Sequence, residues 1–73
     1  MRLTELMARR NLNRSQIAEQ ANVSISVVSK LLRGISQPSR ATIDRLRAAY
    51  PELSGAGIYQ DYESAHVQES ANM

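Results

Sequence analysis

The sequence predicts an all-α protein, a small bundle of four to five helices. Three observations carry this prediction. The chain has 73 residues, about half the usual length of a domain. Apolar residues recur at helical spacing through most of the first fifty positions, and residues that typically begin or end helices separate these segments. A domain of this size buries only about 60% of the surface that its unfolded chain exposes, so a dimer partner would add stability.

The first two helices are short and amphipathic. Residues 2–11 carry an apolar stripe formed by Leu3, Leu6 and Met7. After a break, Asn13 is a candidate N-cap for a second helix, and Gln16 stands at the third helical position. This helix is expected to end near Ala21, where Asn22 tolerates the positive φ angle of a sharp turn.

The third and fourth helices follow the same logic. Ser24 is a candidate cap for a helix over residues 25–33, which Gly34 ends. Its buried stripe is expected to consist of Val28, Leu31 and Leu32. Ser39 is a candidate cap for a fourth helix over residues 40–50, which Pro51 stops. Beyond it, residues 58–62 have some strand character without a clear period, and residues 63–73 are expected to be mobile.

Charge divides the chain into a basic and an acidic part. Residues 1–50 contain all nine Lys and Arg and three acids, a balance of +6. Residues 51–73 contain four acids and no Lys or Arg, a balance of −4. Eight of the nine cations are arginine, whose forked guanidinium suits phosphate and guanine edges. Two functional surfaces are therefore predicted.

Several functional classes have little support. The absence of cysteine excludes disulfides and thiolate chemistry and favours a reducing cytoplasm. No stretch approaches the roughly 18 apolar residues of a membrane span. The one histidine, His66, is expected to be a solvated side chain, and nothing fixes Asp61 or Glu63 near it. We therefore expect a protein that is not an enzyme, with no metal, no cofactor and no evident small-molecule ligand.

The second and third helices are joined by only about three residues, which is the short turn of a helix-turn-helix. Ala18 is small where the two helices must approach closely, and Val23 can fill the core from the turn. The run SQIAEQANVSISVVSKLLRG at residues 15–34 resembles the Cro and phage-repressor class, also described as lambda-repressor-like or xenobiotic-response-element type. Asn22 departs from the Gly that is usual in this class.

The resemblance covers roughly residues 2–53. It implies a helix-turn-helix DNA-binding domain over residues 1–53, followed by an acidic segment, residues 54–73, that is either a dimerisation segment or disordered. Residues 23–34 also resemble the lactose-repressor headpiece, but there the motif begins almost at the N-terminus. Here a full helix precedes it.

A recognition helix contacts base edges mostly through its N-terminal residues. The expected base readers are Ile25, Ser26, Val27 and Lys30. Lysine donates to guanine, serine to several base edges, and an aliphatic side chain meets the thymine methyl. Ile25 lies near the edge of the apolar stripe, so a core role remains an alternative for it.

The resemblance also implies contacts to the DNA backbone. They would come from Asn13, Arg14, Ser29, Ser36 and Arg40. Ser24 and Arg33 are added because a hydroxyl and a guanidinium both bind phosphate, although Ser24 is foremost a helix cap. The remaining arginines of the first and fourth helices are expected to be ordinary surface: Arg9, Arg10, Arg45 and Arg47.

These features predict a transcriptional repressor that binds double-stranded operator DNA as a homodimer. Leu53, Ile58 and Tyr59 are the expected dimer contacts, with packing back onto the fourth helix as the alternative. A different class, an antitoxin whose acidic segment holds a partner, is the second reading. A controller protein of a restriction–modification system is the third.

Overall fold

The computed structural model describes the backbone of residues 1–71 and the side chains of residues 1–66. Within this range the chain forms five helices and no strand, which confirms the predicted all-α bundle. The helices are α1 (Leu3–Arg10), α2 (Arg14–Ala21), α3 (Ile25–Leu32), α4 (Arg40–Ala49) and α5 (Gly55–Ala71). Among the described residues, no helix combines the length and the hydropathy that a membrane span requires.

The helix starts that the sequence indicates are present. Asn13 forms a capping box with Gln16: each side-chain oxygen accepts from the other residue's backbone N–H at 2.8 Å. The Ser24 hydroxyl accepts from Val27 N at 3.2 Å, and the Ser39 hydroxyl accepts from Thr42 N at 3.1 Å. These bonds satisfy amide groups that a helix leaves without an internal partner.

The core is built from apolar side chains of all five helices and of the connection before α5. Helix α2 packs against α3 and α4, while α5 packs against α1, α3 and α4. The core side chains are Leu3, Leu6, Ile17, Ala18, Ala21, Val28, Leu31, Leu46, Tyr50, Leu53, Ile58 and Tyr62.

The structure corrects the expectation for the acidic segment. Residues 58–62 are helical, so the expected strand character is wrong, and residues 63–71 continue the same helix where a mobile tail was expected. Residues 72 and 73 lie outside the described residues. Leu53 is 2% exposed and Ile58 is fully buried, whereas Tyr59 is half-buried. Leu53 and Ile58 belong to the core of this protomer, so little of either side chain is open to a second one. The role of Leu53, Ile58 and Tyr59 as dimer contacts stays a prediction.

Helix α5 also supplies the N-terminal cap of α1. Arg2, at the N-cap position, makes no side-chain cap bond of its own. Instead the buried Asp61 carboxylate accepts from Leu3 N at 2.7 Å, Thr4 N at 3.2 Å and the Thr4 hydroxyl at 2.7 Å. The Arg2 guanidinium completes the arrangement at 3.3 Å. An anion at a helix N-terminus is also stabilised by the helix dipole, so α5 holds α1 by a charged contact as well as by apolar packing.

A second link joins the end of α1 to the segment after α4. The Arg10 guanidinium pairs with Glu52 and lies over the Tyr50 ring, 5.9 Å from its centroid. Burial raises the pKa of the Tyr50 phenol above its ordinary value, Arg10 lowers it and Glu52 raises it. Arg10 is exposed, as expected of a surface residue, and its contacts join α1 to the segment after α4.

Candidate nucleic-acid interface

The turn between α2 and α3 is fixed by backbone geometry. Asn22 adopts the left-handed conformation at φ 57°, and Val23 N donates to Ala18 O at 3.0 Å. Ala18 is buried and Val23 is half-buried against the core, as the helix-turn-helix pattern predicts. The Arg45 guanidinium of α4 donates to Asn22 O at 3.1 Å, a contact that no local sequence pattern indicates. This turn therefore holds α3 at a defined angle to α2.

Helix α3 has one face in the core and one face open to solvent. Val28 and Leu31 are at most 1% exposed and anchor the helix. Ile25 is 50% exposed and Val27 is 38% exposed, which is unusual for large aliphatic side chains in a core this small. Ser26 and Lys30 are exposed as well. All four expected base readers thus lie on accessible positions, and the alternative core role of Ile25 is not observed.

The residues expected at the DNA backbone lie before, within and after α3 in the chain. Arg14 is the first residue of α2, Arg33 follows the last turn of α3, and Arg40 is the first residue of α4. These three side chains and Ser36 are exposed, while Ser29 is half-buried. Asn13 and Ser24 use a side-chain oxygen to cap α2 and α3, so only their remaining hydrogen-bonding capacity is open to a ligand. Which of these residues contact DNA stays a prediction.

A groove of about 270 Å³ runs beside the exposed face of α3. It brings together three predicted site residues, Val27, Lys30 and Ser36. The other lining residues are Leu31, Gln37, Pro38, Ser39 and Thr42. Gln37 was not among the predicted site residues. Its position in a polar loop between Ser36 and Pro38, directly after α3, is the sequence signal that would have added it to the predicted set.

The ion pairs of the described residues lie away from this face. They join Arg2 to Asp61, Arg9 to Glu5 and Arg10 to Glu52. Among residues 1–66, none of these pairs involves the cations around α3, which are Arg14, Lys30, Arg33 and Arg40. Their charge is therefore available to an anionic partner. In the same part of the chain, His, Asp and Glu side chains form no cluster of three that could hold a metal ion.

A family model described as a helix-turn-helix domain matches residues 1–51. The chain belongs to this helix-turn-helix family. The match covers α1 to α4 and therefore includes the turn and the exposed helix described above. Comparison with curated proteins gave no match, and comparison with solved structures gave none.

The helix-turn-helix assignment identifies which helix corresponds to the second helix of the motif. In such domains the second helix of the motif is the one that enters the major groove. Here that helix is α3, and its solvent-facing side carries aliphatic, hydroxyl and amino groups. Helix α5 lies beyond the matched residues, so its packing against the domain is information that only the structure supplies.

Proposed function

We propose that this chain is a sequence-specific transcription regulator of the Cro and phage-repressor type, which reads operator DNA with α3 in the major groove. The helix-turn-helix domain supports a DNA-binding regulator. The observation that carries the finer proposal is the exposure of Ile25 and Val27 beside Ser26 and Lys30, on a helix anchored from beneath by Val28 and Leu31. Aliphatic groups left in water on one helix face are matched by thymine methyl groups in the major groove.

Each exposed group of α3 has a base edge that suits it. The Lys30 ammonium donates to guanine O6 and N7, and the Ser26 hydroxyl bonds several base edges. Ile25 and Val27 contact thymine methyl groups. Together these contacts favour one DNA sequence over others, whereas charge alone would bind all sequences equally.

The proposed backbone contacts come from residues before and after α3 in the chain. Arg14 and Arg40 stand at the N-terminal ends of α2 and α4, where the helix dipole also favours a phosphate. Ser36 and Gln37, which line the groove beside α3, offer further donors to a sugar-phosphate chain that follows this groove. These contacts orient the domain on the duplex and carry no sequence information.

The regulator acts as a homodimer on a two-fold symmetric operator and represses by covering a promoter in the cytoplasm. One recognition helix reads too few base pairs to select a single site among roughly 10⁶ competitors. Leu53 and Ile58 are buried within the protomer, so we propose that the dimer contact includes a more accessible side chain. Ile35, which is 50% exposed in the loop after α3, is the exposed large aliphatic side chain outside that helix among the described residues.

The antitoxin alternative rested on the acidic segment. Two of the four acids in residues 51–73 are engaged inside the domain: Glu52 pairs with Arg10, and Asp61 caps α1. The described part of the segment packs on its own domain, and this favours a regulator over a module that captures a protein partner.

Selection of bound sites from random-sequence DNA, combined with a measurement of mass in solution, tests this proposal. The expected result is an enriched inverted repeat whose half-sites lie about one helical turn apart, bound by a dimer. Binding without any enriched sequence would overturn the proposed sequence-specific function. An enriched site without an inverted repeat, bound by a monomer, would overturn the homodimer.

A further inference from the structure

The end of the recognition helix is held by α5 at one point. Gly34 adopts φ +73°, and a Cβ at this position would lie 2.6 Å from the Ala65 carbonyl carbon, inside the backbone of α5. The His66 side chain of α5 donates from Nδ1 to the Gly34 carbonyl oxygen at 3.0 Å. The missing side chain therefore lets α5 approach closely enough for His66 to bond the backbone just after α3.

The His66 ring is itself held in place. It stacks on the Tyr62 ring with the centroids 5.4 Å apart and the ring planes 19° from parallel. Tyr62 is only 8% exposed and belongs to the core. His66 was expected to be a solvated side chain. Although much of it is accessible, its Nδ1 has a fixed partner and its ring has a fixed support.

Gly34 and the two residues that follow it are bonded back to the last turn of α3. Ile35 N and Ser36 N both donate back to Lys30 O, at 2.9 and 3.4 Å, and Gly34 N donates to Leu31 O at 3.1 Å. The loop is thus wound against the last turn of α3. Lys30 and Ser36 line the same groove, so fixing Gly34 fixes the spacing between a proposed base reader and a proposed backbone contact.

We propose that His66 is a positioning residue that sets the geometry of the loop after α3 and thereby the affinity of the domain for its preferred DNA site. This inference rests on the proposed function. It assigns a role in DNA binding to α5, which lies outside the matched helix-turn-helix residues. The hydrogen bond from Nδ1 to the Gly34 carbonyl positions the loop, and stacking on the Tyr62 ring orients the imidazole for this bond.

Four variants of the full chain separate the donor from the ring. His66→Ala removes both, and His66→Phe keeps a ring that can stack on Tyr62 but has no donor. His66→Asn keeps a donor nitrogen at the same number of bonds from Cβ. Gln60→Ala is the control, because Gln60 is an exposed residue of α5 outside the proposed interface. Each protein is assayed for binding to the selected site, for binding to random DNA at the same salt, and for amide exchange at Ile35 and Ser36 without DNA.

The expected result for His66→Ala and His66→Phe is a three- to tenfold weaker binding to the selected site. Binding to random DNA should stay within twofold, and amide exchange should be faster at Ile35 and Ser36. His66→Asn and Gln60→Ala should resemble the original protein. Equal losses on both DNAs, or retained binding by His66→Phe with loss in His66→Asn, would overturn the inference. If the original protein selects no site, the proposed function fails instead, and unchanged amide exchange in His66→Ala would then overturn the positioning role on its own.

Discussion

Lys30 is the single lysine of the chain, and it lies on the exposed face of α3 beside the groove that Ser36 also lines. A lysine that donates to guanine loses its partner when the base changes, whereas one that touches phosphate does not. If Lys30 contacts guanine, its removal weakens binding mainly to the selected site. If it contacts phosphate, its removal weakens binding to all DNA.

We predict that Lys30→Ala weakens binding to the selected site by ~1–3 kcal/mol and changes binding to random DNA much less. Titrations of both DNAs at one salt concentration measure this difference. Arg9→Ala is the charge-matched control, since Arg9 lies in α1 and pairs with Glu5. Equal weakening on both DNAs would show that Lys30 contacts only the backbone.

Arg14 and Arg40 are predicted to act through charge alone. Removing either one by alanine substitution should weaken binding to all sequences and reduce the slope of log affinity against log salt by about one for each lost phosphate contact. Binding measured over a series of salt concentrations gives this slope. A slope that stays the same in Arg14→Ala or Arg40→Ala would remove that residue from the phosphate contacts.

At the scale of single elements, α5 determines how α1 begins. The Asp61 carboxylate accepts three hydrogen bonds from the first turn of α1, and its side chain is only 1% exposed. Its loss leaves buried amide groups without partners, which is more costly than the loss of a solvent-exposed cap.

We predict that Asp61→Ala lowers the free energy of unfolding by ~2–3 kcal/mol. Chemical denaturation followed by circular dichroism measures it. Glu63→Ala, an acid at an exposed position of the same helix, should change the free energy by less than about 0.5 kcal/mol. A similar small change in both variants would contradict the cap.

The four helices of the matched region could be predicted because residues close in sequence determine where each helix starts and ends. The predicted N-caps are present at Asn13, Ser24 and Ser39. The backbone adopts positive φ at the predicted turn residues Asn22 and Gly34. Their roles depend on neighbours a few residues away, so a linear pattern contains the necessary information. The exposed positions of α3 followed from the same pattern.

Helix α5 could not be predicted in this way. Ile58 and Tyr62 are spaced as a helix requires, but β-favouring residue types and the glycines at 55 and 57 obscure the pattern. The buried face also includes Asp61, whose partners are 57 to 59 residues away in sequence. From the sequence alone, such a carboxylate is expected at the surface, because its partners in α1 come close to it only in the folded chain. Tertiary packing, not local propensity, decides this element.

For the whole molecule, the arrangement of helices makes the acidic segment a structural part of the basic domain. Residues 53, 58 and 62 contribute to the core that supports α3, although they lie beyond the matched residues 1–51. Each large buried apolar side chain contributes about 1.5–3 kcal/mol, and a small domain has only about 5–15 kcal/mol in total.

We therefore predict that a chain ending at Tyr50 does not fold cooperatively. Its far-ultraviolet circular dichroism should show a large loss of helix and no sharp thermal transition. Tightly bound operator DNA would restore part of the structure by mass action. A cooperative transition close to that of the full chain would show that residues 1–50 are stable alone and would contradict the packing role of α5.

Methylation interference on the selected site tests whether α3 lies in the major groove. Dimethyl sulfate methylates guanine N7, which faces the major groove, and adenine N3, which faces the minor groove. We predict that methylated guanines in each half-site block binding, that methylated adenines do not, and that Lys30→Ala becomes insensitive to one of those guanines. Interference confined to adenine N3, with guanine N7 methylation tolerated throughout the site, would contradict the placement of α3 in the major groove.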